Sequence, residues 1–160
     1  MNLRVFLHLI LVVFFWGCAT KNEIVGKVIK VIDGDSVVIV DSRNISYKVR
    51  LHGIDTPESK QSFGVEAKEF LKGKLNGKKV RALVKDMDNY NRYVSVILLG
   101  KEDINRLMVK SGYAWAYLHY SKDYEEDMKE AQAKKIGLWQ EDNPQDPSEF
   151  RKNQKSKKAK

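Results

Sequence analysis

The 160-residue sequence contains one cysteine, three prolines and three histidines. A lone cysteine excludes an internal disulfide framework and a Cys-rich zinc site. No apolar run approaches the 20 or so residues of an ordinary membrane-spanning helix. Acidic residues are missing from both ends: residues 1–18 carry Arg4 as their only charge, and 151–160 carry six Lys/Arg and no acid. Internal repeats are absent, and so is the spacing of an EF-hand loop. What is present suits a globular chain, with 42% hydrophobic and 31% charged residues, rather than a disordered or collagen-like one. The length fits one domain with extensions and excludes a large multidomain enzyme. The formal charge of +8 points to a polyanionic partner, nucleic acid or anionic membrane. Its distribution matters more than its size. Of 29 Lys/Arg, six lie in the final ten residues and one at Arg4, leaving 22 in residues 19–150 against all 21 acids. The middle of the chain is close to neutral.

The ends read as appendages. Val5 to Trp16 is apolar except for His8, and Gly17-Cys18-Ala19 follows. This is the length of a signal-peptide hydrophobic region. A small residue before Cys18 resembles a bacterial lipobox, in which Cys18 becomes the lipidated first residue. Phe15 and Trp16 are bulkier than that motif prefers. A secretory signal with an incidental cysteine and an uncleaved anchor stay open, and all three readings put the domain outside the cytoplasm, secreted or membrane-anchored. Residues 143–160 lack an apolar period and read as a basic disordered tail, either simply solvated or gripping phosphates without sequence preference.

Between the ends lies a domain over about residues 22–142. Glu23–Val31, Ser36–Val40, Ile45–His52, Lys79–Val84 and Tyr93–Leu99 have strand character. In the third, Ile45, Tyr47, Val49 and Leu51 share one face; Ser46, Lys48, Arg50 and His52 share the other. Ala67, Phe70, Leu71 and Leu75 follow helical spacing. Ile104, Leu107 and Met108 form a shorter helix starting near Asp103, and Tyr124, Met128 and Ala131 mark a third. Asp123 with Glu126 resembles a capping box, and Gly137 a C-terminal cap. Five strands and three helices predict an α+β or small β-barrel domain, for which a five-stranded Greek key is one of several strand orders.

Several residues could carry chemistry. Asp33-Gly34-Asp35-Ser36 lies between two strands, Arg50 sits on the polar face of the third, Asp55-Thr56-Pro57-Glu58 follows it, and Arg92 precedes the fifth. Carboxylates at strand ends suit a hard cation such as Ca²⁺. Arginines suit phosphate, because one guanidinium can bond two oxygens. Together these suggest metal-assisted phosphoryl chemistry. Each piece also has a plainer account: Asp-Gly-Asp as a turn, Asp-Thr-Pro-Glu as a helix start, Arg50 as a solvated strand residue, and Arg92 as a loop residue.

Taken together, the pieces closely resemble the staphylococcal nuclease (thermonuclease) family. The resemblance spans about residues 24–140. It rests on Val31-Ile32-Asp33-Gly34-Asp35-Ser36, on Val49 through Glu58, on Tyr90-Asn91-Arg92-Tyr93, on Ser111-Gly112-Tyr113-Ala114-Trp115, and on Glu130 through Lys135 with Gly137-Leu138-Trp139. It implies an OB-fold five-stranded barrel with three helices. It implies a monomeric Ca²⁺-dependent endo- or exonuclease that hydrolyses DNA and RNA at the bond between phosphorus and the 5′ oxygen, leaving 3′-phosphate ends. By position, Asp35 and Asp55 would bind Ca²⁺ through carboxylates and Thr56 through its carbonyl. Glu58 would orient or deprotonate the attacking water, and Arg50 and Arg92 would hold the phosphate. Tyr120 and Tyr117 would contact the nucleotide. Ser36 replaces the family's usual Thr, and Asn91 its usual Gly, a position where Asn tolerates positive φ. A second reading is a non-catalytic nucleic-acid-binding module on the cell surface. A third is a lipid-tethered scaffold whose basic tail binds anionic lipid or polymer.

Overall fold

The computed structural model describes residues 22–158. The leader-like stretch 1–18, including Cys18, lies outside the described residues. The elements run β1 (Glu23–Val31), β2 (Ser36–Asp41), β3 (Ser46–Leu51), β4 (Ile54–Asp55), α1 (Gly64–Leu75), β5 (Lys79–Met87), β6 (Tyr93–Leu99), β7 (Glu102–Asp103), α2 (Ile104–Lys110), β8 (Trp115–Ala116), α3 (Glu125–Ala133) and α4 (Pro147–Lys158). A 3₁₀ turn, Gly137–Gln140, follows α3.

Alternating side chains give β1 its inward face at Ile24, Gly26 and Val28. A bulge between Val28 and Lys30 shifts the phase by one residue, so Val31 also points inward. A second bulge interrupts β5 between Val84 and Asp86. These bends let five long strands, in the order β3-β2-β1-β5-β6, curl until β3 pairs in parallel with β6. The result is a small α+β fold built on a mixed five-stranded barrel, as expected for an OB fold. Its interior holds Val28, Val37, Ile39, Val49, Leu51 and Ile97, all fully buried. Ala67, Leu71 and Leu75 of α1 join this core, as do Ile104 and Met108 of α2. Each fully buried aliphatic side chain contributes about 1.5–3 kcal/mol relative to exposure.

The second helix follows its sequence reading. Asp103 caps α2 by accepting from the Arg106 N–H at 3.0 Å. Other expectations are corrected. The third helix starts at Glu125 with Tyr124 as its N-cap, and no side-chain capping bond forms. Asp123 and Glu126 therefore make no capping box; Tyr124 is instead drawn into the core, its hydroxyl donating to Asp103 at 3.1 Å. That helix ends at Ala133 with Lys134 as its C-cap and Lys135 taking the left-handed turn, so Gly137 is no cap but the start of the 3₁₀ turn. Ile45 lies outside β3 and is 44% exposed, because the inward face begins only at half-buried Tyr47. The short strands β4, β7 and β8 add to the expected five.

The largest difference is at the C-terminal end. A helix, α4, stands where the sequence suggested a disordered tail. Asp146 caps it, its Oδ1 accepting from the Ser148 N–H at 2.8 Å and the Glu149 N–H at 3.1 Å. Pro147 occupies the first helical position, where a missing N–H costs nothing. The helix is also docked: the Gln61 side-chain amide donates to the Gln145 carbonyl, and Phe150 lies in a groove with Pro57, Trp115 and Leu138.

Candidate active site

The barrel closure gathers the candidate residues. Arg50 in β3 pairs with Ser36 of β2 on one side and Val94 of β6 on the other. Its guanidinium therefore emerges where three strands meet. Asp35 lies just before β2, and the Leu51 N–H donates to the Asp35 carbonyl at 2.8 Å. Asp55 is fixed by the pairing of β4 with β8, opposite Trp115. Two glycines permit the close approach of loops. A Cβ on Gly34 would stand 2.6 Å from the Thr56 hydroxyl, and one on Gly64 only 1.9 Å from the Glu58 carbonyl. The first tucks the Asp33–Asp35 turn under Thr56; the second seats the Glu58 loop on the start of α1.

The side chains form one network. Arg50 Nη1 meets the Asp35 carboxylate at 2.5 Å. Its Nη2 donates to Asp55 Oδ1 at 3.1 Å and to the Ile54 carbonyl at 3.3 Å. The Ser36 hydroxyl donates to Asp35 Oδ1 at 2.9 Å and accepts from Arg92 Nη1 at 3.3 Å. Arg92 is steadied by Asp88, which takes its Nε–H at 2.7 Å and caps the loop by accepting from the Tyr90 and Arg92 N–H groups. Asn91 has φ of 57° in that loop, the left-handed conformation that Asn tolerates better than most residues. Behind the site, buried Asn105 donates to the His52 and Ser95 carbonyls and accepts from the Ile97 N–H, tying the end of β3 to β6 and α2.

Asp33, Asp35, Arg50, Thr56, Glu58 and Arg92 border one open cleft of about 940 Å³, with Tyr117 and Tyr120 on its rim. Asp55 is 2% exposed and reaches this group through its bonds to Arg50. The candidates named from sequence are thus brought together, apart from Cys18 outside the described residues. Tyr117 and Tyr120 are neighbours, with ring centroids 5.0 Å apart, and Tyr120 is largely exposed. Tyr90 is exposed on the Arg92 side, its ring 5.5 Å from that guanidinium.

One cleft residue escaped the sequence reading. Arg151 of α4 reaches both oxygens of Asp55, at 2.7 and 3.1 Å, and Glu58 Oε1 at 2.9 Å. Lys152 and Lys155 of the same helix also border the cleft. A signal for that helix exists in Asp146-Pro147-Ser148-Glu149, an N-cap residue, a first-position proline and an acid at the third helical position. Nothing local indicates that Arg151 folds back across the chain.

The electrostatics are those of a crowded carboxylate site with cations drawn into it. Burial, and then the Asp35 charge, push the Asp33 carboxyl up to about 6. Burial also pushes Asp55 up, against the opposing pull of Arg151 and Arg50. Hydrogen bonds to Asp55 hold the Arg151 guanidinium above its ordinary value. Among the described residues, no group of three or more His, Cys, Asp or Glu is arranged to hold a metal. The donor set nonetheless fits a hard cation: Asp35, Asp55 and the Thr56 carbonyl offer oxygen only. The guanidinium on both Asp55 oxygens already marks that carboxylate as a seat for positive charge.

Comparison with known proteins gives concordant matches. The family model described as staphylococcal nuclease homologue matches residues 48–141. An uncharacterized endonuclease of Haemophilus influenzae is 39% identical over 157 residues, covering 96% of this chain and 88% of its own length. A micrococcal nuclease of Shigella flexneri is 33% identical over 144 residues, 82% of each chain. The staphylococcal-like nuclease CAN1 of Arabidopsis thaliana is 40% identical over 111 residues, 68% of this chain and 34% of its own.

Proposed function

The chain belongs to the staphylococcal nuclease family, and from that premise we propose that it is a Ca²⁺-dependent phosphodiesterase acting on DNA and RNA. The observation that carries this reading is the unbroken set of contacts from Arg92 through Ser36, Asp35 and Arg50 to Asp55, with Glu58 at the cleft beside it.

A phosphodiester is an anion and repels a nucleophile, so the site must supply positive charge where charge builds. Arg50 and Arg92 both border the cleft and would clamp the non-bridging phosphoryl oxygens. Each guanidinium can present two N–H groups in a plane, which lysine cannot. Glu58, 41% exposed at its side chain, stands where water can reach it and would orient that water or take its proton. Oxygen from water then bonds to phosphorus as the bond to the 5′ oxygen breaks. The leaving oxygen takes up a proton, and the other product keeps a 3′-phosphate. Tyr117 and Tyr120 offer aromatic faces to the base or sugar. Asp35 and Asp55, with the Thr56 carbonyl, would hold Ca²⁺, which when bound supplies Lewis-acid stabilisation of phosphoryl charge.

A DNA-in-gel activity assay with the full chain tests the reading. Cleavage should require Ca²⁺ and stop with chelator. Glu58→Ser should abolish detectable activity, and Arg50→Lys should cost about 10²–10³ in rate, the scale for removing one oxyanion contact. A folded, Ca²⁺-loaded wild type that leaves DNA and RNA intact while still retarding them in a gel would replace this reading with that of a binding module.

A further inference from the structure

We propose that Arg151 is a tethered counter-ion that sets the divalent-cation affinity of the site, so that α4 must give up its hold on Asp55 before the metal binds. The inference rests on the reading of Asp35 and Asp55 as cation ligands, and not on cleavage itself.

Three observations lead to it. The first is the completeness of the contact. Arg151 Nη2 and Nη1 take the two oxygens of Asp55 at 2.7 and 3.1 Å, and Nη1 also reaches Glu58 at 2.9 Å. Arg50 occupies Asp55 from the barrel side. With its side chain only 3% exposed, Asp55 has little room for another cation while both arginines stay. A Ca²⁺ ion binds carboxylate oxygens at about 2.3–2.6 Å and would meet a like charge on the same oxygens.

The second observation is which arginine can leave. Arg50 is built into β3, between β2 and β6. Arg151 comes from α4, outside the barrel and beyond the segment 48–141 that defines the family match. Its side chain is 38% exposed. The third is the lightness of the docking of α4. Besides Arg151, the hold consists of Gln61 on the Gln145 carbonyl, buried Pro147 at the start of the helix and half-buried Phe150 in its groove. Segments with few buried contacts open at low free-energy cost.

Ca²⁺ binding and release of α4 are then two sides of one linkage. If the metal binds only when Arg151 is away, its apparent affinity falls by the fraction of molecules in the released state. By reciprocity, the metal must loosen α4 as strongly as α4 weakens the metal.

Calorimetric titration of the metal-free full chain with Ca²⁺, with no nucleic acid present, tests this. Arg151→Gln should bind Ca²⁺ about tenfold more tightly than wild type if a tenth of molecules are released at rest. Lys157→Gln removes the same charge from the same helix away from the cleft, and should stay within about twofold. In wild type, Ca²⁺ should also speed amide hydrogen exchange across residues 147–158. Equal or weaker binding by Arg151→Gln, an equal tightening in Lys157→Gln, no Ca²⁺ binding by either protein, or unchanged exchange in α4 would each overturn the proposal. Tighter binding by Arg151→Gln in a chain that never cleaves DNA would support it while sinking the proposed activity.

Discussion

Ser36 donates to Asp35 and accepts from Arg92, so its hydroxyl joins two arginine sites that the sequence separates by more than forty residues. Three positions earlier in the same turn, Asp33 carries a different consequence. Its carboxyl is raised to about 6 from an ordinary 3.8, by burial first and by the Asp35 charge second. Between those two pH values the folded protein holds a proton on Asp33 that the unfolded chain has lost. The contribution of this residue to stability therefore falls as pH rises through that window, and stays at its lower level above it. Asp33→Asn keeps an oxygen to accept from the Asp35 N–H and removes the titration. In urea unfolding with chelator present, the stability gained by the variant over wild type should grow from about pH 4 to about pH 6 and then level off. A difference independent of pH would contradict the assignment.

Among the elements, the five long strands and α2 were legible for a simple reason. Their residues alternate or recur at the period of the element they form, and their caps are local, as with Asp103 on α2. Where the expectation failed, a contact across the fold had outweighed a local signal. Tyr124 is buried, with its hydroxyl on Asp103, and this fixes the start of α3 at Glu125 in place of the apparent Asp123–Glu126 box. Helix α4 was missed because, beyond its opening proline, Phe150 is the one apolar residue among twelve. Without an apolar stripe its only sequence mark is the cap. Asp146→Ala removes that cap, at a cost of about 1 kcal/mol to the helix. Faster amide exchange confined to residues 147–158, with the barrel's exchange unchanged, is the expected result. Loss of protection throughout the barrel would mean that α4 supports the whole fold.

At the level of the whole molecule, charge and anchoring divide along the chain. Residues 19–150 are nearly neutral, so under the proposed function phosphate recognition would rest on placed arginines and a bound metal. The net charge of +8 is concentrated in the last ten residues. Most of those basic residues ride on α4, which brings Arg151, Lys152 and Lys155 to the cleft. The charge that looked remote from the domain is therefore partly at its site. At the other end, the apolar stretch before Cys18 motivates the proposal that the protein works outside the cytoplasm on a lipid anchor. Cells fed radioactive palmitate should label the wild type, with the label lost in Cys18→Ala. Equal labelling of both would remove the anchor from the proposal.

The five barrel strands and the presence of three helices are readable in the sequence, and Asp35, Arg50, Asp55, Glu58 and Arg92 emerge from it as one candidate set through the family resemblance. These depend on period, on local caps and on short motifs, all written in neighbouring residues. That β3 closes on β6, and so sets Arg50 between Asp35 and Asp55, is visible in the folded chain alone. The fold likewise returns Arg151, 93 residues after Glu58, to hold Asp55 and Glu58. Such contacts join residues far apart in the chain, and no local pattern encodes them. They form because buried carboxylates leave water only when a cation and hydrogen bonds replace it.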